Sequence, residues 1–196
     1  VEIPEKNIFV YGLSFEHKEV RSPLYDEWKP VNKPGFHVLL AHGGDLSCCP
    51  MDFTGLAAAG FDYVALGHSH KPHTVCRDKI AYSGSLEPLD RNDLGKHGYI
   101  QGEYEDGNVK VRLVPCANRS YQNLVLNVDR DTTQYKLEEM LRSEVMRRGG
   151  RNIYRLILKG RVSPDNVLLT ERLHGLGNIV EIMDESRPAY NIEELY

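Results

Sequence analysis

The chain has 196 residues, of which 24 are Lys or Arg and 28 are Asp or Glu, giving a formal charge of −4 with histidine neutral. That balance excludes a generally basic nucleic-acid coat, so any DNA contact has to come from a local patch. A hydrophobic share of 41% suffices for a buried core, and at roughly 150 residues per domain the length fits one domain or two small ones.

Apolar stretches such as 38–41 fall far short of the roughly 20 residues a bilayer helix needs, and no membrane span is expected. Val1 and Glu2 open the sequence without a basic n-region, an apolar h-region or an initiator methionine, so it reads as processed or as a piece of something longer. Cys48, Cys49, Cys76 and Cys116 are too few and too irregular for a secreted disulfide framework. They imply a reducing, cytoplasmic setting, and without CxxC spacing Cys48 and Cys49 read as free thiols rather than metal ligands.

In chain order, residues 8–14 are rich in β-formers and precede a long irregular loop over 16–35. The run His37-Val-Leu-Leu-Ala41, closed by His42-Gly-Gly44, predicts a buried strand that delivers a histidine into a glycine loop. Asp52 is placed to cap a helix over 53–59 that Gly60 ends. Residues 61–66 then repeat the buried-strand pattern and run into Gly67-His-Ser-His70. The first histidine of that loop follows His42 by 26 positions, about one βαβ unit. A right-handed crossover therefore brings the two strand ends together.

Short strands are predicted over 74–77 and 79–83, followed by a turn-rich stretch over 83–95. Glu105-Asp-Gly107 is a strong hairpin signal between strands over 99–104 and 108–114. After a linker over 115–121 the pattern becomes strand, helix, strand, helix, strand. The first helix has a Thr cap near Thr132 and a Gly149-Gly150 stop. The second has Ser163 as cap, Pro164 at its first position and Gly175 at its end.

Chemistry concentrates in the histidines. His68 and His70, two apart on a loop at a buried strand's carboxyl end, suit metal ligation or proton transfer. This chain's own frequencies give about 0.03 chance occurrences of Gly-His-x-His, so the motif is fairly specific. His73, Ser83 and Ser85 are weaker candidates for contacting substrate. For His73 a solvent-facing loop position is the more ordinary use, and for Ser83 and Ser85 a strand-ending turn is an equally ordinary one. Arg147, Arg148 and Arg151 could meet a DNA backbone, although basic residues at a helix end also complement its dipole. His17, His37, His97 and His174 lie outside any ligand spacing.

Val38-Leu-Leu-Ala-His42-Gly, Tyr63-Val-Ala-Leu-Gly67-His68-Ser-His70-Lys-Pro72 and Ile80-Ala-Tyr82-Ser83-Gly84-Ser85 together resemble the second half of a calcineurin-like metallophosphoesterase. They are most similar to the SbcD branch of DNA repair exonucleases. The resemblance implies an α/β fold: the C-terminal half of an αββα sandwich over residues 1–118, followed by a small βαβαβ capping domain over 119–196. It further implies that His42 and His68 ligate one metal of a two-metal centre and His70 the other. The metals would be two divalent ions, most simply Mn²⁺, the substrate DNA, and the partner an ABC-type SbcC-like ATPase.

The family's Asp-x-His, bridging Gly-Asp and Gly-Asn-His motifs are absent from these residues. Gly43-Gly-Asp45 follows the histidine strand instead of preceding it, and Gly177-Asn178 continues into isoleucine. No catalytic residue is therefore expected within the chain. Three neutral imidazoles cannot balance two divalent cations, so the chain by itself is expected to bind at most one metal weakly and to be inactive without an N-terminal half. Two other readings stay open: a non-catalytic module that binds DNA or the ATPase, and a phosphoesterase acting on other substrates.

Overall fold

The computed structural model describes residues 1–17 and 20–190. Two compact units emerge, one from residues 1–89 and 96–117 and the other from residues 90–95 and 118–196. No helix among the described residues is long and apolar enough to cross a membrane.

The first unit is built on a six-stranded sheet. Its strands are β1 (Glu2–Ile3), β2 (Ile8–Gly12), β3 (Phe36–His42), β4 (Tyr63–Gly67), β5 (His73–Cys76) and β6 (Ile80–Tyr82), arranged β1-β2-β3-β4-β6-β5. The four central strands run parallel, and the two edge strands are antiparallel to their neighbours. The parallel pairs require crossovers, and between β3 and β4 the crossover carries helix α1 (Phe53–Ala58). Asp52 caps that helix as the sequence predicts, its carboxylate accepting from Thr54 N at 3.0 Å.

Register decides which residues face the core. Leu39 pairs with Val64 and Ala41 with Leu66, while Val64 and Leu66 pair in turn with Ile80 and Tyr82. These six side chains share one face and join Tyr25, Leu56 and Phe61 in a single buried cluster. The opposite face carries Ile8, Phe36, Val38, Tyr63, Ala65 and Ala81. Leu40, also on that face, is 49% exposed. A hairpin of β7 (Gly98–Glu105) and β8 (Asn108–Pro115) belongs to the same unit, turning at Asp106 and Gly107, both with positive φ. Between the hairpin and the sheet's second face lies a largely apolar cavity of about 650 Å³.

β4 begins two residues later than expected. Asp62 is occupied in joining the strand starts, its carboxylate accepting from His37 N at 2.7 Å and its own N–H donating to His37 O at 2.8 Å.

The second unit contains a three-stranded parallel sheet ordered β11-β10-β9, from β9 (Tyr121–Val128), β10 (Ile153–Val162) and β11 (Ile179–Pro188). Helix α2 (Gln134–Arg148) packs Leu137, Leu141 and Val145 against Leu124, Leu126, Leu156 and Leu158. Its cap is Thr133, one position beyond the expected residue, and accepts from Lys136 N at 3.3 Å. Thr132 is instead consumed by Asp129, to which its hydroxyl donates at 2.6 Å.

The expected second helix does not form from Ser163. Asn166 N donates to Ser163 O at 3.0 Å and closes a turn there, and the Asn166 side chain is drawn off to the Arg130 carbonyl. The crossover is completed by a 3₁₀ stretch, Thr170–Leu176, whose Leu173 is fully buried. The second unit is thus βαβ followed by a 3₁₀ crossover and a third strand.

Candidate metal centre

Two adjacent parallel strands create the site. β3 and β4 pair so that His42 lies opposite Gly67, which leaves His68 as the next residue at the same sheet edge. Their imidazole centroids are 5.4 Å apart in an edge-to-face arrangement. Gly67 makes room for this, because a Cβ there would lie 3.0 Å from His42 Nδ1. His68 itself holds φ +105°, a conformation a residue with a Cβ rarely adopts. Strained backbone of this kind persists where the surroundings fix it, and here it accompanies the approach of the two rings.

The glycine loop after His42 doubles back on itself. Gly43 and Gly44 have φ of +125° and +110°, and Gly44 N donates to the carbonyls of Cys48 and Cys49, each at 2.9 Å. A Cβ on Gly43 would lie 2.6 Å from Cys48 O, and one on Gly44 would collide with the Tyr82 hydroxyl, so both positions require glycine. Tyr82 Oη donates to Gly43 O at 2.7 Å and anchors the loop to β6. The consequence is that Cys48 returns to the two histidines. Ligand atoms of His42, Cys48 and His68 all lie within 4.8 Å of one another.

Asp45 ties this arrangement together. Its Oδ1 accepts from Ser47 N at 2.8 Å, Ser47 Oγ at 2.6 Å and Cys48 N at 2.8 Å, while its Oδ2 is 2.7 Å from His68 Nε2. These donors, Ser47 first and His68 next, hold the Asp45 carboxyl well below the usual carboxylate range. His42 is pushed below the ordinary imidazole value by burial and then by His68, which favours the neutral, ligating form. Burial, with Asp45 and Cys49 adding to it, raises the Cys48 thiol above its ordinary value. With no cation present Cys48 is therefore a thiol.

The remaining candidates lie differently. His70, expected to ligate a second metal, does not join His42, Cys48 and His68 within that 4.8 Å group. The His70 carbonyl accepts from Ser85 N at 2.9 Å and Ser85 Oγ at 3.3 Å. Ser85 Oγ also lies 3.1 Å from His97 Nδ1, and Ser83 Oγ donates to Gly84 O at 3.3 Å. The Ser83-Gly-Ser85 turn thus braces the His70 backbone. His73 stacks on Tyr82 with centroids 4.4 Å apart, and its Nδ1 is 3.1 Å from Lys71 O.

His37 and His97, to which the sequence assigns no role, are buried structural residues. His37 lies between Tyr11 Oη and Lys33 O, each at 2.9 Å, and stacks on Phe9. Sequence reasoning missed Asp45 and Cys48. The signal was the pair of glycines after His42, which permits a tight reversal, but the distance to which the chain returns is a tertiary property.

Two imidazoles and a sulfur with ligand atoms within 4.8 Å of one another, on a partly open edge, are a donor set that suits a divalent transition metal. No family model matches the chain. It is 22% identical over 162 residues to the uncharacterized metallophosphoesterase YhaO of Bacillus subtilis (strain 168), an alignment that covers 77% of this chain and 40% of that protein. The chain therefore spans about 40% of the length of the curated relative it matches, and that relative is a metallophosphoesterase.

Proposed function

We propose that the chain is the C-terminal part of a metal-dependent phosphodiesterase of the SbcD-like kind, acting on DNA. The observation that carries this reading is the meeting of His42 and His68 at the carboxyl ends of adjacent parallel strands, where open α/β sheets place their ligand sites. His42 and His68 hold one cation, and His70, on the loop braced by Ser85, holds the second. Mn²⁺ is the ion the reading favours. Cations bound at these residues would supply polarisation of a phosphoryl oxygen and a lowered pKa for an attacking water. The residues of this chain set ligand geometry, and Gly67 and the glycine loop let the His42 ring and Cys48 approach where a Cβ would collide.

The sandwich architecture is part of the same proposal. Leu40 is half exposed on the sheet face whose Phe36 end meets the hairpin, and a second layer carrying the Asp-x-His and Gly-Asn-His motifs would cover the Leu40 end. Four free cysteines accord with a reducing, cytoplasmic setting, and an SbcC-like ATPase is the proposed partner.

The test compares the 196-residue chain with the same chain joined to an N-terminal segment bearing those motifs. Both are assayed with Mn²⁺ on bis(p-nitrophenyl) phosphate and on labelled duplex DNA. The joined protein hydrolyses both, its His68→Ala variant neither, and the chain alone is inactive. Full activity of the chain alone overturns the divided site. An inactive joined protein that is folded and metal-loaded overturns the hydrolase, and hydrolysis of the small ester without DNA cleavage overturns the nuclease.

A further inference from the structure

We propose that Cys48 is a third ligand to the cation held by His42 and His68, so that this position is selective for a thiophilic divalent cation, Zn²⁺, over Mn²⁺. This deepens the functional reading: it rests on the assignment of His42 and His68 as ligands of one cation and, at that position, replaces Mn²⁺ by Zn²⁺.

Three observations carry the inference. The ligand atoms of these residues lie within 4.8 Å of one another, and a tetrahedron with Zn–N bonds of about 2.0 Å and Zn–S bonds of about 2.3 Å calls for about 3.3–3.5 Å, so binding draws them together by at most about 1.5 Å. The approach of Cys48 is also built into the backbone. Gly43 and Gly44 adopt φ of +125° and +110°, and Gly44 N holds the carbonyls of both cysteines. Finally, one carboxylate locks two of the ligands together, because Asp45 grips Cys48 N with Oδ1 and the His68 ring with Oδ2. A carboxylate behind a ligating histidine orients the ring, and with the proton of the neutral ring on Nε2 the lone pair is left on Nδ1.

Coordination replaces the Cys48 S–H proton, which passes to solvent, by the metal. One thiolate and two neutral imidazoles then offset half the cation's charge and leave its fourth position to water or substrate. Thiolate is a soft ligand that favours zinc and cobalt, whereas manganese prefers carboxylate and water. The consequence is that Zn²⁺ competes with Mn²⁺ at the His42–His68 position.

The experiment titrates the 196-residue chain with Co²⁺ alone, read by absorption, and then with Zn²⁺ in competition. One equivalent of Co²⁺ gives the intense visible bands of a tetrahedral ion together with a near-ultraviolet thiolate-to-cobalt charge-transfer band, and Zn²⁺ displaces it. Cys48→Ser loses the charge-transfer band and binds Zn²⁺ at least about tenfold more weakly. Cys116→Ser, a change at an exposed thiol, alters neither. Circular dichroism confirms that each variant is folded, and Cys48→Ala provides a second probe of the same position.

If Co²⁺ binds without the charge-transfer band and Cys48→Ser leaves the affinity unchanged, while His68→Ala abolishes binding, the thiol is not a ligand and the histidine assignment survives. If His42→Ala and His68→Ala leave binding intact, the histidine assignment itself falls. Absence of stoichiometric Co²⁺ binding overturns the proposed zinc site.

Discussion

Gly44 shows how much of the site depends on a missing side chain. With φ of +110° and the Tyr82 hydroxyl in the position a Cβ would take, Gly44→Ala faces both backbone strain and a collision, and Phe53 Cζ at 2.8 Å blocks relief on the other side. The expected cost is about 1–3 kcal/mol, read as a lower urea midpoint from Trp28, the chain's single tryptophan, which packs on Tyr25 in the same unit. Tyr82→Phe should cost about 1 kcal/mol by removing the donor to Gly43 O, which is 2.7 Å away. The double variant should cost less than the sum, because the ring without its hydroxyl relieves part of the alanine's collision. Strict additivity of the two losses would show that Gly44 is constrained by φ alone.

At the scale of elements, strands and helices were legible where period and caps agree, and the failures have physical causes. The alternation of His37, Leu39 and Ala41, the Asp52 cap and the Asp106-Gly107 turn all express local geometry, so the sequence sufficed for β3, α1 and the β7–β8 hairpin. The expected helix after Ser163 was lost to a competing turn and a distant carbonyl at Arg130, which no local pattern encodes. The site divides along the same line: the two strand-end histidines followed from the βαβ spacing, whereas Cys48 and Asp45 entered through a loop whose path is set by tertiary contacts with Tyr82 and His68.

Helix α2 yields a pH prediction of its own. Glu144 is held by Arg147 at 2.7 Å and Arg148 at 2.8 Å, and these side chains, Arg147 first, draw its pKa down to about 2. A depressed carboxylate pKa means that the folded state prefers the ionised form. Its contribution is present in full above the ordinary glutamate value of about 4.3 and fades as pH falls towards 2. The thermal midpoint of Glu144→Gln should therefore lie below that of the parent at pH 6, and the gap should close between pH 4 and pH 2. A gap that stays constant across that range would show the ion pairs to be inert.

For the whole molecule, charge limits how DNA can be held. The formal charge is −4, and two of the basic residues that could have formed a patch are already engaged. Arg147 and Arg148 both bind Glu144, and Arg148 also donates to Asn123 O at 3.1 Å. With a net negative charge and these two arginines engaged, counterion release by the end of α2 contributes little to association. If DNA is the substrate, the attraction has to come through cations at the strand-end histidines, which add positive charge to an edge that otherwise carries the Asp45 carboxylate. In fluorescence anisotropy at about 0.15 M salt, a labelled duplex should show no micromolar binding to the EDTA-treated chain. Divalent metal should create binding that His42→Ala and His68→Ala remove. The metal-dependent affinity should fall only shallowly with added monovalent salt, because few phosphates are neutralised by side chains. Metal-independent micromolar affinity with a steep salt slope would instead locate DNA binding on basic side chains away from the histidines, and would detach the nucleic-acid reading from the metal centre.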